Sequence, residues 1–122
     1  MSRKADSYKR DEIKERKQLA QAELTTTATS LYTPNTNVET VITSIVITAT
    51  SSQNRWISIF HDDDGTTYDD TTVLIDEQDI SSSETFIYDN EIYMNGAGNL
   101  AFEAEQSNIF TATIYGIERQ KK

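Results

Sequence analysis

Cysteine is absent from this chain of 122 residues, which excludes a disulfide framework and any Cys-bearing zinc site. Histidine occurs once, as His61, so no second imidazole is available for a His-rich zinc site. Long apolar runs are missing too. The N-terminus lacks the hydrophobic stretch of a secretory signal, and no window approaches the roughly 20 apolar residues that span a bilayer. The expectation is a soluble protein with no membrane partner and no export signal.

Basic residues are the most telling shortage. From Thr25 to Glu118 only Arg55 stands against fifteen Asp and Glu, a net of −14. Phosphate binding relies on clustered Lys and Arg, so this surface repels nucleic acid. Seven of the eleven Lys and Arg fall instead between Arg3 and Lys17. There they are nearly balanced by Asp6, Asp11, Glu12, Glu15 and Glu23, leaving a lead of net +2, too neutral for a nucleic-acid arm. The chain divides into that lead, residues 1–24, and a Thr/Ser-rich body, residues 25–122. A body of about a hundred residues suits one domain with a modest core, whose stability leans on partners or copies of itself.

The lead holds no Gly or Pro, and its residues are mostly good helix formers. Asp6 with Arg10 and Glu12 with Arg16 are spaced i to i+4 in the favourable acid-first order. This predicts an N-terminal α-helix between Ser2 and Leu24, about 30 Å long if it covers about 20 residues. With Ile13 at a heptad a position, Arg16 and Glu23 fall at d, so the helix does not zip to a copy of itself. An isolated helix of this kind is marginal in water and needs something to lie against. It reads as a docking arm whose partner-binding residues are Tyr8, Ile13, Arg16 and Leu19. On that reading, deleting residues 1–24 abolishes assembly and leaves the β signal intact.

The body is a series of short alternating runs. Pro34-Asn35-Thr36-Asn37 marks a turn before Val38 to Ala49, where Val41, Ile45 and Ile47 fall on one face and Ile42 and Val46 on the other. That strand is either buried on both sides or bends between two environments. Arg55 to His61 follows, and further strands are expected at residues 72–75, 85–88, 91–94, 100–105 and 109–117. Leu100, Phe102 and Ala104 alternate with Ala101, Glu103 and Glu105; Phe110, Ala112 and Ile114 alternate with Thr111, Thr113 and Tyr115. About eight strands at short spacing imply an all-β antiparallel sandwich, jelly-roll-like, preceded by the N-terminal helix.

Four segments in this order carry a resemblance: Leu31-Tyr32-Thr33-Pro34-Asn35, the acidic hairpin from Ile59 through His61 and Gly65 to Tyr68, the turn from Tyr93 through Gly96 and Gly98 to Leu100, and Tyr115-Gly116-Ile117-Glu118. Together they resemble small β-sandwich virion proteins of tailed bacteriophages, over roughly residues 30–119. The resemblance implies a non-enzymatic structural part of the particle, of the capsid decoration, cement or head-tail accessory type, located in the virion after assembly in the host cytoplasm. It implies other virion proteins as partners. Homo-oligomers follow from the symmetry usual for such copies, with a trimer as the expected number.

Reactive chemistry is sparse. Asp62, Asp63, Asp64, Asp69 and Asp70 cluster around Gly65. Asp62, Asp64, Asp69 and Asp70 are the candidate ligands if the loop holds Ca²⁺, but the EF-hand order is missing. A solvated hairpin tip, with Asp-Gly supplying the turn, is the stronger reading. No metal or other cofactor is assigned. Ser58 and His61 lie three apart on a strand and so point to opposite faces, which argues against a nucleophile and base pair. No catalytic residue emerges. Trp56, beside Phe60 on one face, reads as core; Tyr68 and Tyr88, near predicted loop ends, are the candidate surface contacts. The competing function is a carbohydrate- or receptor-binding module, calcium-assisted, in which the acidic hairpin and the tyrosines, Tyr93 among them, grip glycans.

Overall fold

The computed structural model describes residues 16–121. They form nine strands: β1 (Lys17–Glu23), β2 (Thr29–Tyr32), β3 (Val38–Ala49), β4 (Arg55–Asp62), β5 (Val73–Ile80), β6 (Thr85–Tyr88), β7 (Ile92–Met94), β8 (Asn99–Ala104) and β9 (Phe110–Gln120). Pairing is nested and antiparallel throughout: β1 with β9, β2 with β8, β3 with β6 and β7, β4 with β5. Such nesting makes the chain one long hairpin whose tip lies between β4 and β5. Wrapping it until β3 also meets β9 and β4 also meets β8 closes two sheets. Their orders are β1-β9-β3-β6, with β7 also on β3, and β2-β8-β4-β5. This is jelly-roll connectivity, with β6 and β7 sharing the place of one interrupted strand.

The core lies between the sheets. Ile42, Ile45, Ile47, Phe110, Ala112 and Ile114 of the first face Ile57, Ile59, Leu100, Phe102 and Ala104 of the second, all essentially inaccessible. Each fully buried Ile, Leu or Phe contributes about 1.5–3 kcal/mol of transfer free energy. Leu24 and Thr25 make the corner where the chain changes sheets. The Leu24 amide donates to the Phe110 carbonyl at 2.9 Å, and Thr25 accepts from the Ala104 amide at 2.9 Å. The Thr25-Thr26-Thr27 run is therefore a bridge between sheets.

The two-faced pattern of β3 is explained by a bulge. Its register with β9 shifts between Ile42 and Ser44, leaving Thr43 as the extra residue. One inserted residue reverses the alternation, so Thr40 and Ile42 point inward before it and Ile45, Ile47 and Ala49 after it. Of the two alternatives, the strand bends.

Over Lys17–Glu23 the expected N-terminal helix requires correction. Lys17–Glu23 is a strand paired along β9 and so part of the first sheet; residues 1–15 lie outside the described residues. Helix propensity here amounts to a few tenths of a kcal/mol per residue, and the open edge of β9 outweighs it by offering a hydrogen-bond ladder and apolar cover for Leu19 and Ala20. The β1 register shifts between Gln18 and Ala20, nearly level with the β3 bulge, and Gly116 lies between the two irregular strands. A Cβ at Gly116 would sit 2.5 Å from the Val41 carbonyl oxygen and 2.8 Å from Leu19 Cδ1, so only glycine permits this approach.

Candidate interaction surface

The hairpin tip between β4 and β5 is organised from within. Asp62 accepts the Asp64 amide at 3.2 Å and the Thr67 amide at 2.7 Å, and these bonds, Thr67's first, hold its carboxyl below the ordinary carboxylate range. Asp69 accepts both the hydroxyl (2.6 Å) and the amide (2.8 Å) of Thr71, with the same effect on its titration. These are turn-stabilising bonds of the Asx kind. Among the described residues no three His, Asp or Glu gather as a metal ion requires, so Asp62, Asp64, Asp69 and Asp70 do not converge as a calcium set.

Ser58 is buried, and its Oγ accepts the Glu77 amide at 2.9 Å, across the bulged pairing of β4 with β5. His61 Nε2 is buried and meets no hydrogen-bond partner among the described residues. Ser58 and His61 form no nucleophile and base pair.

The aromatic residues part company. Trp56 is half-buried and lies outside the inter-sheet core, which takes Ile57 and Ile59 from this strand; the expectation of a core Trp is corrected by that alternation. Tyr68 leans on Phe60, with ring centroids 6.2 Å apart. Tyr88 is half-buried and packs against the core, because its partner Ile45 faces inward. Neither ring stands free as the sequence suggested. Of the residues assigned to the docking arm, Arg16 is exposed beside Ser44 and Tyr115, and Leu19 is half-buried over Gly116 against the core. Tyr8 and Ile13 lie outside the described residues.

Tyr93 is the ring that does project, 66% exposed on the outer face of the first sheet. Its neighbours Ile92 and Met94 turn inward, and Tyr93 pairs with Val41, which pairs with Ile117. This row floors a groove of about 770 Å³ whose rim carries Glu39, Asp63, Asn95 and Arg119. Arg119 donates to Glu39 at 2.6 Å, holding that carboxyl low. Two loops meet at the rim: Asn99 Nδ2 donates to the Gly65 carbonyl at 2.7 Å, and a Cβ at Gly98 would touch the Asp63 carbonyl at 3.4 Å. The acidic hairpin and the Asn-Gly turn, separate features in the sequence, form one side of one groove.

No protein-family model matches this chain, and no curated protein matches it in sequence. Solved structures do. A chain of the structure of infectious bursal disease virus Gx strain superposes with a TM-score of 0.54 at 10% identity, covering 87% of this chain and 32% of that one. This chain thus spans about a third of the length of its viral counterpart. A pentameric capsid protein isolated from metagenomic phage sequences matches with a TM-score of 0.43 at 17% identity, over 91% of this chain and 66% of that one. At these identities the first likeness establishes a shared fold, the two-sheet jelly roll seen in a virus structure.

Proposed function

We propose that the chain is a non-enzymatic structural protein of a virus particle, a tailed bacteriophage in the finer reading, decorating or cementing the capsid or head-tail region. The observation that carries this is the nested jelly-roll pairing, matched across 87% of the chain by a fold taken from a virus. A jelly roll by itself hosts several functions, lectin domains included, so the argument also needs a surface fit for contact. The outer face of the first sheet is such a surface. In a chain of net −9 it exposes mostly neutral side chains, among them Gln18, Gln21, Val46, Tyr115 and Ile87, the last 58% exposed. Burying neutral surface against a partner avoids the desolvation cost of charge. The docking arm read from the sequence, with Tyr8, Ile13, Arg16 and Leu19 as its contacts, is proposed to engage other virion proteins or sibling copies. Among the described residues there is no helix long and apolar enough to cross a membrane.

Quantitative mass spectrometry of purified particles tests the reading. The chain is expected at a constant ratio to the other particle proteins, and a chain lacking residues 1–15 is expected to bind particles more weakly while keeping its β circular-dichroism signal. Particles that never contain the chain, or a purified chain that turns over a substrate, would defeat it.

A further inference from the structure

The geometry points to a binding site for a neutral saccharide in the groove over Tyr93, independent of whether the virion reading holds. Its floor is the row Tyr93, Val41 and Ile117 on three adjacent strands. Tyr93 is exposed, and its hydroxyl donates to Glu91 at 2.8 Å, away from the ring face. An exposed aromatic face beside aliphatic side chains matches the C–H face of a pyranose, with or without that hydroxyl. Pockets of small ligands combine such an apolar floor with a few placed polar groups, and about 770 Å³ lies within their usual ~300–1,000 Å³ range.

The rim decides which ligand chemistry fits. Glu39 and Arg119 lie two pairs along from Val41 and Ile117 in the ladder, about 7 Å away at the rise of a strand. Their ion pair sets an acceptor beside a donor, which suits neighbouring hydroxyls that each give and take a hydrogen bond. Asn95 Oδ1 accepts the Ala97 amide at 2.9 Å, leaving its NH₂ to donate, and the exposed Asp63 carboxylate supplies a further acceptor. The four rim groups together carry a net charge of only −1. An anionic sugar would meet Asp63 and a protein of net −9, while a cationic ligand would meet Arg119, with Glu39 already neutralised. A neutral polyol uses every group and adds no charge to a rim whose one uncompensated carboxylate, Asp63, stays exposed to water. Because the contacts are direct hydrogen bonds and stacking, binding requires no metal.

The full chain should be screened on an array of neutral glycans ending in glucose, galactose, mannose or N-acetylglucosamine, beside sialylated and sulfated glycans, with and without EDTA. Retention on neutral glycans, unchanged by EDTA, is expected. Tyr93→Ala should weaken it by about ten-fold or more, Tyr93→Phe should keep it, and Asp63→Asn should weaken it by about three-fold or more. Circular dichroism of each variant verifies that the sandwich persists, as an exposed ring and an exposed carboxylate allow. No retention of any neutral glycan, retention unaffected by Tyr93→Ala, preference for the anionic glycans, or loss in EDTA overturns the assignment. So does a photo-crosslinking residue at position 93 that captures residues 1–15 or a second copy of the chain in place of a sugar.

Discussion

The Tyr32 hydroxyl donates a 2.6 Å hydrogen bond to the Glu118 carboxylate, joining the second strand of the chain to the last across the two sheets. Thr40 Oγ1 lies 2.7 Å from the same hydroxyl, and Lys17 Nζ lies 3.2 Å from the other oxygen of Glu118. Four strands thus meet at one polar cluster closing the end of the core. Tyr32→Phe removes the shared hydroxyl and leaves Thr40, itself buried, without this partner. The expected cost is about 1–3 kcal/mol, read as a lower urea midpoint at unchanged m-value.

The same cluster sets a pH window. Tyr32's hydrogen bond, with Lys17 helping, holds Glu118 below the usual glutamate range. A depressed carboxyl contributes stability that is present above its unfolded value, about 4.3, and lost as pH falls through the folded value. Tyr32 shifts the other way, raised by burial and then by Glu118. Its contribution is complete below the unfolded value near 10 and declines as pH rises beyond it. Melting temperature against pH should therefore be flat between about 5 and 9 and fall on both sides. In Tyr32→Phe the alkaline limb should flatten.

Gly116→Ala should be costly although its backbone is ordinary for a strand. The added methyl meets the Val41 carbonyl oxygen, which belongs to the paired backbone of β3 and cannot swing aside. A loss of about 1–3 kcal/mol is expected in thermal melts. Combining it with Leu19→Ala should not restore stability, since the backbone clash remains.

Within the acidic hairpin the aspartates should divide by bonding. Asp62→Ala frees the Thr67 and Asp64 amides, and hydrogen exchange at Thr67 should accelerate. Asp63→Asn and Asp70→Asn should leave exchange and melting temperature within error, because the carboxylates that accept the loop's amides are those of Asp62 and Asp69. Calcium addition should not raise the melting temperature.

A chain beginning at Thr25 should lose cooperative folding, in contrast to the sequence-based expectation that the β signal survives removal of residues 1–24. It lacks β1, uncovers the Ala112–Ile114 stretch of β9 and deletes the buried Leu24. A chain beginning at Arg16 should melt as one transition. Differential scanning calorimetry distinguishes the two.

The body's strands were legible where alternation is clean. Leu100, Phe102 and Ala104 point inward as their period of two requires, as do Phe110, Ala112 and Ile114. The apolar pattern marks only residues 72–75, whereas β5 continues through Asp76, Glu77 and Asp79 to Ile80. They lie on an edge strand, where charge in water is tolerated and discourages pairing with another chain. The candidate groove was invisible as a unit: Tyr93, Asp63 and Arg119 are far apart in the chain, and only the wrapping of the hairpin gathers them.

Composition and local periodicity were enough to establish an acidic, disulfide-free antiparallel sandwich, because side-chain alternation and charge are properties of neighbouring residues. Whether Lys17–Glu23 became helix or strand, which way β3 turned after Thr43, and which aromatic ring was left facing water were decided only in three dimensions. Each depends on an edge, a bulge or a covering loop supplied by a distant part of the chain, and the free energy of those contacts exceeds the small local preferences they override.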